Sequence, residues 1–177
     1  MTFRDVFVFV VGKTPQVVTE TIYGLLVKES PVLPDEIYIL TTEEGKKEVE
    51  EGLIRRGNLQ KVFEEYGFPP LPQEKLHIVV ISGVDGSPLR DIRTEEDNEA
   101  VGNFITDFIR RLAEDPGVRL HCSLAGGRKT MGFYLGAALS LFGRPWDRLY
   151  HVLVSPEFES HPDFYFKPKE ELSLIHI

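Results

Sequence analysis

Near its N-terminus the chain has a short apolar strand pattern that is followed at once by a helical one. Residues 6–11 form a continuous β-branched and aromatic run that stops at Gly12, which is typical of a strand buried on both faces of a sheet. Over residues 15–28 the apolar positions then recur with helical spacing. A strand that leads into a helix through a tight loop indicates the start of a parallel α/β sheet.

The same unit recurs along the chain. Further strands are predicted over residues 36–40, 76–81, 118–124 and 149–154, and further helices over residues 41–66, 95–114 and 128–142. Because each connecting helix must bury its apolar stripe, this order predicts a Rossmann-like α/β domain, a mostly parallel sheet with helices on both faces. Ligands bind beyond the carboxyl ends of such strands, so we expect binding residues in the loops after the first four.

Length and charge narrow the class of protein. The chain has 177 residues, with 20 basic and 28 acidic side chains and a net charge of −8. One domain fits this length, and the negative charge argues against a protein that coats long nucleic acids but permits a small anion in a local pocket. Cys122, the single cysteine, excludes an intramolecular disulfide and a cysteine-built zinc site. With no apolar run long enough to span a bilayer, we expect a cytoplasmic protein without a membrane partner.

The loop after the first strand is the first candidate site. Its residues are Gly12, Lys13, Thr14, Pro15 and Gln16. The first three resemble the end of a phosphate-binding P-loop, but Phe7 stands where that motif requires glycine. What remains is a polar loop before a helix N-terminus, whose free N–H groups and dipole favour an anion. The alternative is that Thr14 only caps the helix, with Pro15 at its first position.

The loop after the fourth strand is the stronger candidate. It contains Ala125, Gly126, Gly127, Arg128, Lys129 and Thr130, directly before a helix. The glycines let the backbone approach a ligand closely, Arg128 can fork onto phosphate oxygens, and Lys129 supplies a mobile point charge. Two adjacent cations at the positive end of a helix dipole are unfavourable for stability and therefore indicate an anionic ligand. The alternative is a solvated helix start.

Two other loops offer weaker candidates. Thr42 either contacts a ligand or caps the second helix, and Arg90, Asp91 and Arg93 either reach a ligand or form a solvated surface. His161 and Asp163 fit a site or a C-terminal turn equally well. The histidines show no metal-binding spacing, so the sequence predicts neither a metal nor a cofactor.

Three segments together carry a family resemblance. They are Pro15-Gln16-Val17-Val18-Thr19-Glu20-Thr21, Gly126-Gly127-Arg128-Lys129-Thr130-Met131-Gly132 and His151-Val152-Leu153-Val154-Ser155-Pro156. In them, and through residues 140–145 and 159–164, the chain resembles a family of CRISPR-associated proteins built on the CARF fold. The resemblance implies a Rossmann-like homodimer that binds cyclic oligoadenylate, with cyclic tetra-adenylate as the expected ring, across its two-fold axis.

The resemblance also implies roles for single residues. In related ring nucleases, a hydroxyl residue of the first loop and a lysine of the fourth assist cleavage of the ring. Thr14 and Lys129 stand at these positions, although the better-known ring nucleases have serine in the first loop. The expected ligand-binding residues are Gly12, Lys13, Gln16, Thr42, Arg90, Asp91, Arg93, Ala125, Gly126, Gly127, Arg128 and Thr130.

Two functions from different classes follow. The first is a metal-independent ring nuclease that releases linear products with a 2′,3′-cyclic phosphate and switches off type III CRISPR signalling. The second is a CARF sensor module without catalysis, which binds the ring and regulates an effector domain or a partner.

The last six residues raise a separate question. Leu172-Ser173-Leu174-Ile175-His176-Ile177 can be encoded by CTG TCT CTT ATA CAC ATC, a transposase end sequence that is added to fragments in sequencing libraries. We therefore interpret residues 1–171 as a single CARF domain and residues 172–177 as a non-native tail. The alternative is a hydrophobic C-terminal strand.

Overall fold

The computed structural model of the protein describes residues 2–159, 161–167, 169, 175 and 176. Its central sheet consists of five parallel strands, β1 (Arg4–Val10), β2 (Glu36–Thr41), β3 (Leu76–Val80), β4 (Val118–Ser123) and β5 (Arg148–Tyr150). Their order across the sheet is β3-β2-β1-β4-β5. The strand order reverses between β1 and β4, so the loops that follow these two strands diverge and leave a crevice at the carboxyl edge.

Helices cover both faces of this sheet. On one face lie α1 (Gln16–Leu26), α2 (Glu43–Val49) and α3 (Asn58–Glu65), and on the other lie α4 (Glu95–Ala113) and α5 (Lys129–Phe142). Alternate side chains of β1 point to opposite faces of the sheet. Phe7 and Phe9 pack against the helices of the first face, and Val6, Val8 and Val10 pack against those of the second. This double burial explains the unbroken apolar run of β1. The predicted α/β fold is confirmed.

The helix predicted over residues 41–66 is interrupted. After α2 the chain continues as a π-helical segment, Glu50–Arg55, and then passes through Gly57 before α3 begins. Gly57 has a φ of 70°, a left-handed conformation that glycine adopts without steric cost and that ends a helix. The charged periodicity runs across this break, so the prediction of one continuous helix was wrong.

The strand predicted over residues 149–154 is also wrong as a single element. Strand β5 ends at Tyr150, whose carbonyl accepts a hydrogen bond from the Leu124 N–H. Beyond that point the neighbouring chain has turned away toward α5, so later residues have no partner in the sheet. The next strand, β6 (Leu153–Val154), pairs antiparallel with β7 (Ile175–His176) in a separate two-stranded sheet. Strand β7 falls in the segment interpreted as a tail, of which residues 172–174 and 177 lie outside the described residues.

The single cysteine of the chain belongs to the core. Cys122 lies in β4 with its side chain fully buried, and burial raises the pKa of its thiol. Within the described ranges, no helix is both long and apolar enough to cross a bilayer.

Candidate functional site

The loops after β1 and β4 touch backbone to backbone. A Cβ built on Gly12 would lie 3.3 Å from the Cα of Gly127, and one built on Gly126 would lie 2.5 Å from the carbonyl oxygen of Val10. Gly127 itself has a φ of 76°, which turns the chain into α5. Glycine is therefore required here for close approach and for the turn, and the two loops form one continuous surface.

The loop after β3 is tied to the start of α2. The N–H of Glu43 donates to the carbonyl of Leu89 at 2.9 Å, and that of Glu44 donates to the carbonyl of Arg90 at 3.2 Å. Thr42 caps α2, because its Oγ1 accepts a hydrogen bond from the N–H of Gly45 at 3.3 Å. The two backbone hydrogen bonds place the loop after β3, the third loop, beside the crevice between β1 and β4.

A cavity of about 310 Å³ lies where these loops meet, and we call it the central cavity. Its walls are Gly12, Lys13, Thr42, Glu44, Gly45, Asp91, Gly127 and Arg128. Six of these residues were predicted from the sequence, and the structure brings them together from four loops. Glu44 and Gly45 were not predicted.

Asp91 holds Arg128 at the mouth of this cavity. The guanidinium Nη2 of Arg128 lies 2.8 Å from Oδ2 of Asp91. Burial raises the pKa of the Asp91 carboxyl, but hydrogen bonds from Arg128 and from the Ile92 N–H outweigh burial, so the pKa lies below its ordinary value. Asp91 is therefore ionised at neutral pH and fixes the position of the cation.

The carboxylate of Glu44 forms ion pairs with three further cationic side chains near the cavity. Its carboxylate oxygens lie 3.3 Å from Lys13 Nζ, 3.6 Å from Arg90 Nε and 3.8 Å from Arg93 Nη2. Together with Arg128, four cations thus share the two carboxylates of Glu44 and Asp91. The surplus of positive charge favours an anionic ligand at this edge of the sheet.

The start of α5 is open to solvent. Arg128 precedes the helix without a side-chain capping bond, and Lys129 and Thr130 are exposed. Within the part of the chain that the structure describes, Lys129 makes no ion pair and neither residue lines the central cavity. The helix N–H groups and the Lys129 ammonium are therefore free to meet an anion that approaches from outside. Ala125 is half-buried and packs against the core.

A second cavity, of about 290 Å³, opens beside the first, and we call it the lateral cavity. Its walls are Lys13, Thr14, Gln16, Glu20, Phe158, Glu159, His161, Pro162 and Phe164. Thr14 is exposed and does not cap α1, which begins at Gln16 after Pro15 without a side-chain capping bond. Lys13 lines both cavities.

Glu20 is a residue of this region that sequence reasoning missed. It is the one charged residue of α1, whose residues 17–26 are all buried. An isolated carboxyl in a buried helix was the signal that could have identified it. His161 does line a cavity, whereas Asp163 pairs with Arg56 at 3.2 Å.

Asp97 belongs to the scaffold of the third loop. Its side chain accepts hydrogen bonds from the N–H groups of Arg93 and Thr94 and completes a capping box at the start of α4. Among the described residues, no group of three or more His, Cys, Asp or Glu side chains is arranged to hold a metal ion.

Comparisons with known proteins complete the description of this site. No curated protein matches the chain. Among solved structures, the chain is similar to a protein described as a UDP-N-acetylglucosamine 2-epimerase from Listeria monocytogenes, at 14% identity and a TM-score of 0.42, over 85% of this chain and 31% of that one. A second UDP-N-acetylglucosamine 2-epimerase matches at 11% identity and a TM-score of 0.39, over 85% of this chain and 32% of that one.

The chain thus spans about a third of the length of these two structures. The model of one protein family, CRISPR-associated protein NE0113, matches residues 14–176. Because this match covers nearly the whole chain, from Thr14 in the loop after β1 onward, the protein belongs to the CRISPR-associated protein NE0113 family.

Proposed function

We propose that the protein is a CARF-type homodimer that binds cyclic oligoadenylate, with cyclic tetra-adenylate as the expected ring, and cleaves it to linear products. The observation that carries this proposal is the backbone contact between Gly12 and Gly127. It gathers Lys13, Arg128 and the open start of α5 at one edge of the sheet. Membership in a CRISPR-associated family supports a role in ending type III CRISPR signalling.

The charges of the central cavity suit a phosphodiester. The N–H groups of Gly126 and Gly127 and the guanidinium of Arg128 are the kinds of donor that bind phosphate oxygens. An incoming phosphate competes with Asp91 for Arg128, which lies only 2.8 Å from that carboxylate. Asp91 thus orients the Arg128 guanidinium before the ligand binds. When the ligand binds, the guanidinium exchanges its contact with Asp91 for a contact with the phosphate.

The outer face of α5 supports a dimer. Phe133 and Leu141 are 70% and 72% exposed, and Leu149 on the adjacent edge strand is 43% exposed. At 3.6 residues per turn, Phe133 lies between Lys129 and Leu141 around α5, and the three side chains span about a third of the helix circumference. A symmetric contact through this face brings two copies of Lys129 close to the two-fold axis, where a symmetric ring can bind both subunits equally.

Cleavage of the ring requires mainly that the 2′-oxygen of a ribose is aligned with the adjacent phosphorus and the leaving 5′-oxygen. Each ribose carries a 2′-hydroxyl next to its 3′-phosphodiester, and its oxygen attacks that phosphorus while the bond to the 5′-oxygen breaks. The 2′-hydroxyl loses its proton, the 5′-oxygen gains one, and the products are a 2′,3′-cyclic phosphate and a 5′-hydroxyl. Thr14 orients the 2′-hydroxyl, and Lys129 with the dipole of α5 stabilises the negative charge that grows on the phosphorane oxygens.

The direct test is incubation with cyclic tetra-adenylate and cyclic hexa-adenylate in excess EDTA, followed by mass spectrometry. We expect linear fragments that end in 2′,3′-cyclic phosphate. If the rings bind tightly but survive intact, the sensor function replaces the enzyme. If neither ring binds, the proposal is wrong for this protein.

A further inference from the structure

The lateral cavity contains two polar groups without a partner. Glu20 lines the cavity, is 8% exposed and makes no hydrogen bond or ion pair within the described residues. The Oε1 atom of Gln16 is buried and also lacks a hydrogen-bond partner, while its Nε2 donates to the carbonyl of Pro162 at 2.9 Å. A buried polar atom without a partner is costly, and Gln16 Oε1 is such an atom. Together with the unpaired carboxyl of Glu20 in the same cavity, it indicates a ligand that completes their hydrogen bonds.

Glu20 and Gln16 are placed to act on one ligand. They are four residues apart on α1 and therefore lie on the same side of the helix. Phe158 and Phe164 also line the cavity, and their rings stack on each other with centroids 4.6 Å apart and an interplanar angle of 26°. An aromatic ring beside two hydrogen-bonding groups fits a planar nitrogen heterocycle.

We infer that the lateral cavity is a base subsite that selects a 6-aminopurine, with protonated Glu20 and Gln16 reading its amino edge. The carboxyl O–H of Glu20 donates to ring nitrogen N1, and its carbonyl oxygen accepts one hydrogen of the 6-amino group. Gln16 Oε1 accepts the other hydrogen of that group. This assignment rests on the proposed function, because it places the adenine of the ring here while Lys13, shared by both cavities, faces the phosphate.

The hydrogen bond from Gln16 Nε2 to the carbonyl of Pro162 makes the subsite selective. Because Nε2 is held by Pro162, the amide cannot turn a donor toward the ligand without breaking that bond. A 6-oxopurine would direct its carbonyl oxygen and N7 at Gln16 Oε1, an arrangement of acceptors only. An unpaired buried acceptor lowers the affinity about fivefold to 150-fold, so the subsite rejects hypoxanthine.

The protonation state of Glu20 makes binding depend on pH. Burial raises the pKa of Glu20 to about 7, so the donating form is present in quantity only at or below neutral pH. The other charged or titratable groups that face the cavity are Lys13, Glu159 and His161. Lys13 is drawn toward Glu44, which lies 3.3 Å from its ammonium.

The test compares affinities for cyclic tetra-adenylate by calorimetry at about pH 6 and about pH 8.5. We expect the unmodified protein to bind at least about tenfold more weakly at the higher pH, since each pH unit above the pKa removes about nine-tenths of the protonated carboxyl. Glu20→Gln keeps one donor and one acceptor in the same places, so its affinity should hardly change with pH. Glu159→Gln and His161→Asn are the matched controls and should retain the pH dependence.

Two outcomes would overturn the assignment. One is an equal pH dependence in the Glu20→Gln variant and the unmodified protein. The other is a loss of cleavage in Glu20→Gln at unchanged affinity, which would give Glu20 a role in proton transfer. A melting curve for each variant confirms that it is folded.

A second measurement separates this inference from the proposed function. Adenosine and inosine 5′-monophosphates are titrated at high concentration while the NMR signals of Phe158 and Phe164 are followed. Shifts with the adenosine nucleotide but not with the inosine nucleotide support the subsite even if no ring binds. A ring that binds with no preference between the two nucleotides overturns the subsite and leaves the proposed function standing.

Discussion

Arg128 directs a guanidinium nitrogen at a carboxylate oxygen of Asp91, 2.8 Å away, across the gap between the third and fourth loops. The contact fixes one cation of the central cavity before any ligand is present. Arg128→Ala should therefore weaken the binding of cyclic tetra-adenylate at least about tenfold, as expected for the loss of a hydrogen bond to a charged group, about 1.5 to 3 kcal/mol. Calorimetry measures the change.

The matched control is Arg110→Ala. Arg110 lies on α4, where it pairs with Asp107 and Glu114 and lines neither cavity. Its replacement should change the affinity by less than about twofold, as is usual for surface ion pairs. An equal loss in both variants would mean that only the overall charge matters, which contradicts a specific role for Arg128.

Lys129→Ala should separate catalysis from binding. Removal of one donor that stabilises transition-state charge costs at least about 10²-fold in rate, while the loops that hold the ring remain in place. Single-turnover cleavage in EDTA gives the rate, and calorimetry gives the affinity. Lys75→Ala, an exposed lysine just before β3, serves as the control. Unchanged cleavage by Lys129→Ala would remove this residue from the mechanism.

The proposed dimer is tested on the outer face of α5. Replacing Phe133 and Leu141 together by glutamate should give a monomer in sedimentation experiments and abolish tight binding of the ring, because charge at an apolar contact opposes association. Val84→Glu is the control, since Val84 is 79% exposed in the third loop. If the double variant stays dimeric, the contact lies on another surface.

The packing of the two glycine-containing loops is tested by stability. A methyl group at Gly126 would lie 2.5 Å from the Val10 carbonyl oxygen and 2.7 Å from Val17 Cγ2, so Gly126→Ala should lower the free energy of unfolding by about 1 to 3 kcal/mol. Gly136 lies within α5, and a methyl group there would have its nearest contact, Leu149 Cδ2, at 3.8 Å, so Gly136→Ala should be neutral or stabilising by up to about 1 kcal/mol. Urea unfolding distinguishes the two.

Stability should also depend on pH through Glu20. Its pKa of about 7 in the folded protein exceeds the ordinary value of 4.5, so the folded state holds the proton more tightly than the unfolded state. The corresponding stabilisation is complete below about pH 4.5 and is lost as the pH rises to about 7. Between about pH 5 and about pH 8.5, the unmodified protein should therefore lose about 2 to 3 kcal/mol relative to Glu20→Gln in urea unfolding. Parallel pH profiles would contradict the raised pKa.

Local patterns in the sequence were sufficient to predict the parallel sheet and the loops that follow β1 and β4. The apolar run that became β1 and the glycines before α5 are short-range signals, because the burial of a strand and the turn into a helix are decided by adjacent residues. The prediction of the order strand, loop, helix was therefore correct.

Features that depend on distant parts of the chain were not predictable in this way. Arg90 reaches Glu44 only because its carbonyl accepts a hydrogen bond from the start of α2. Strand β5 stops at Tyr150 because its neighbour in the sheet ends there. The charge of Glu20 in an otherwise uncharged helix singles the residue out, but the cavity that it lines is completed by Phe158, Pro162 and Phe164 of the distant C-terminal segment.

The burial of Cys122 makes the protein convenient to label. The thiol is fully buried in β4 and burial raises its pKa, so it reacts slowly with maleimides, and the chain has no other cysteine. A cysteine introduced at exposed Val84 would then take up a fluorophore or spin label selectively, without prior removal of the native thiol. In the proposed dimer, one label on each chain would report the distance between the two third loops in solution, and whether that distance changes when cyclic tetra-adenylate is added.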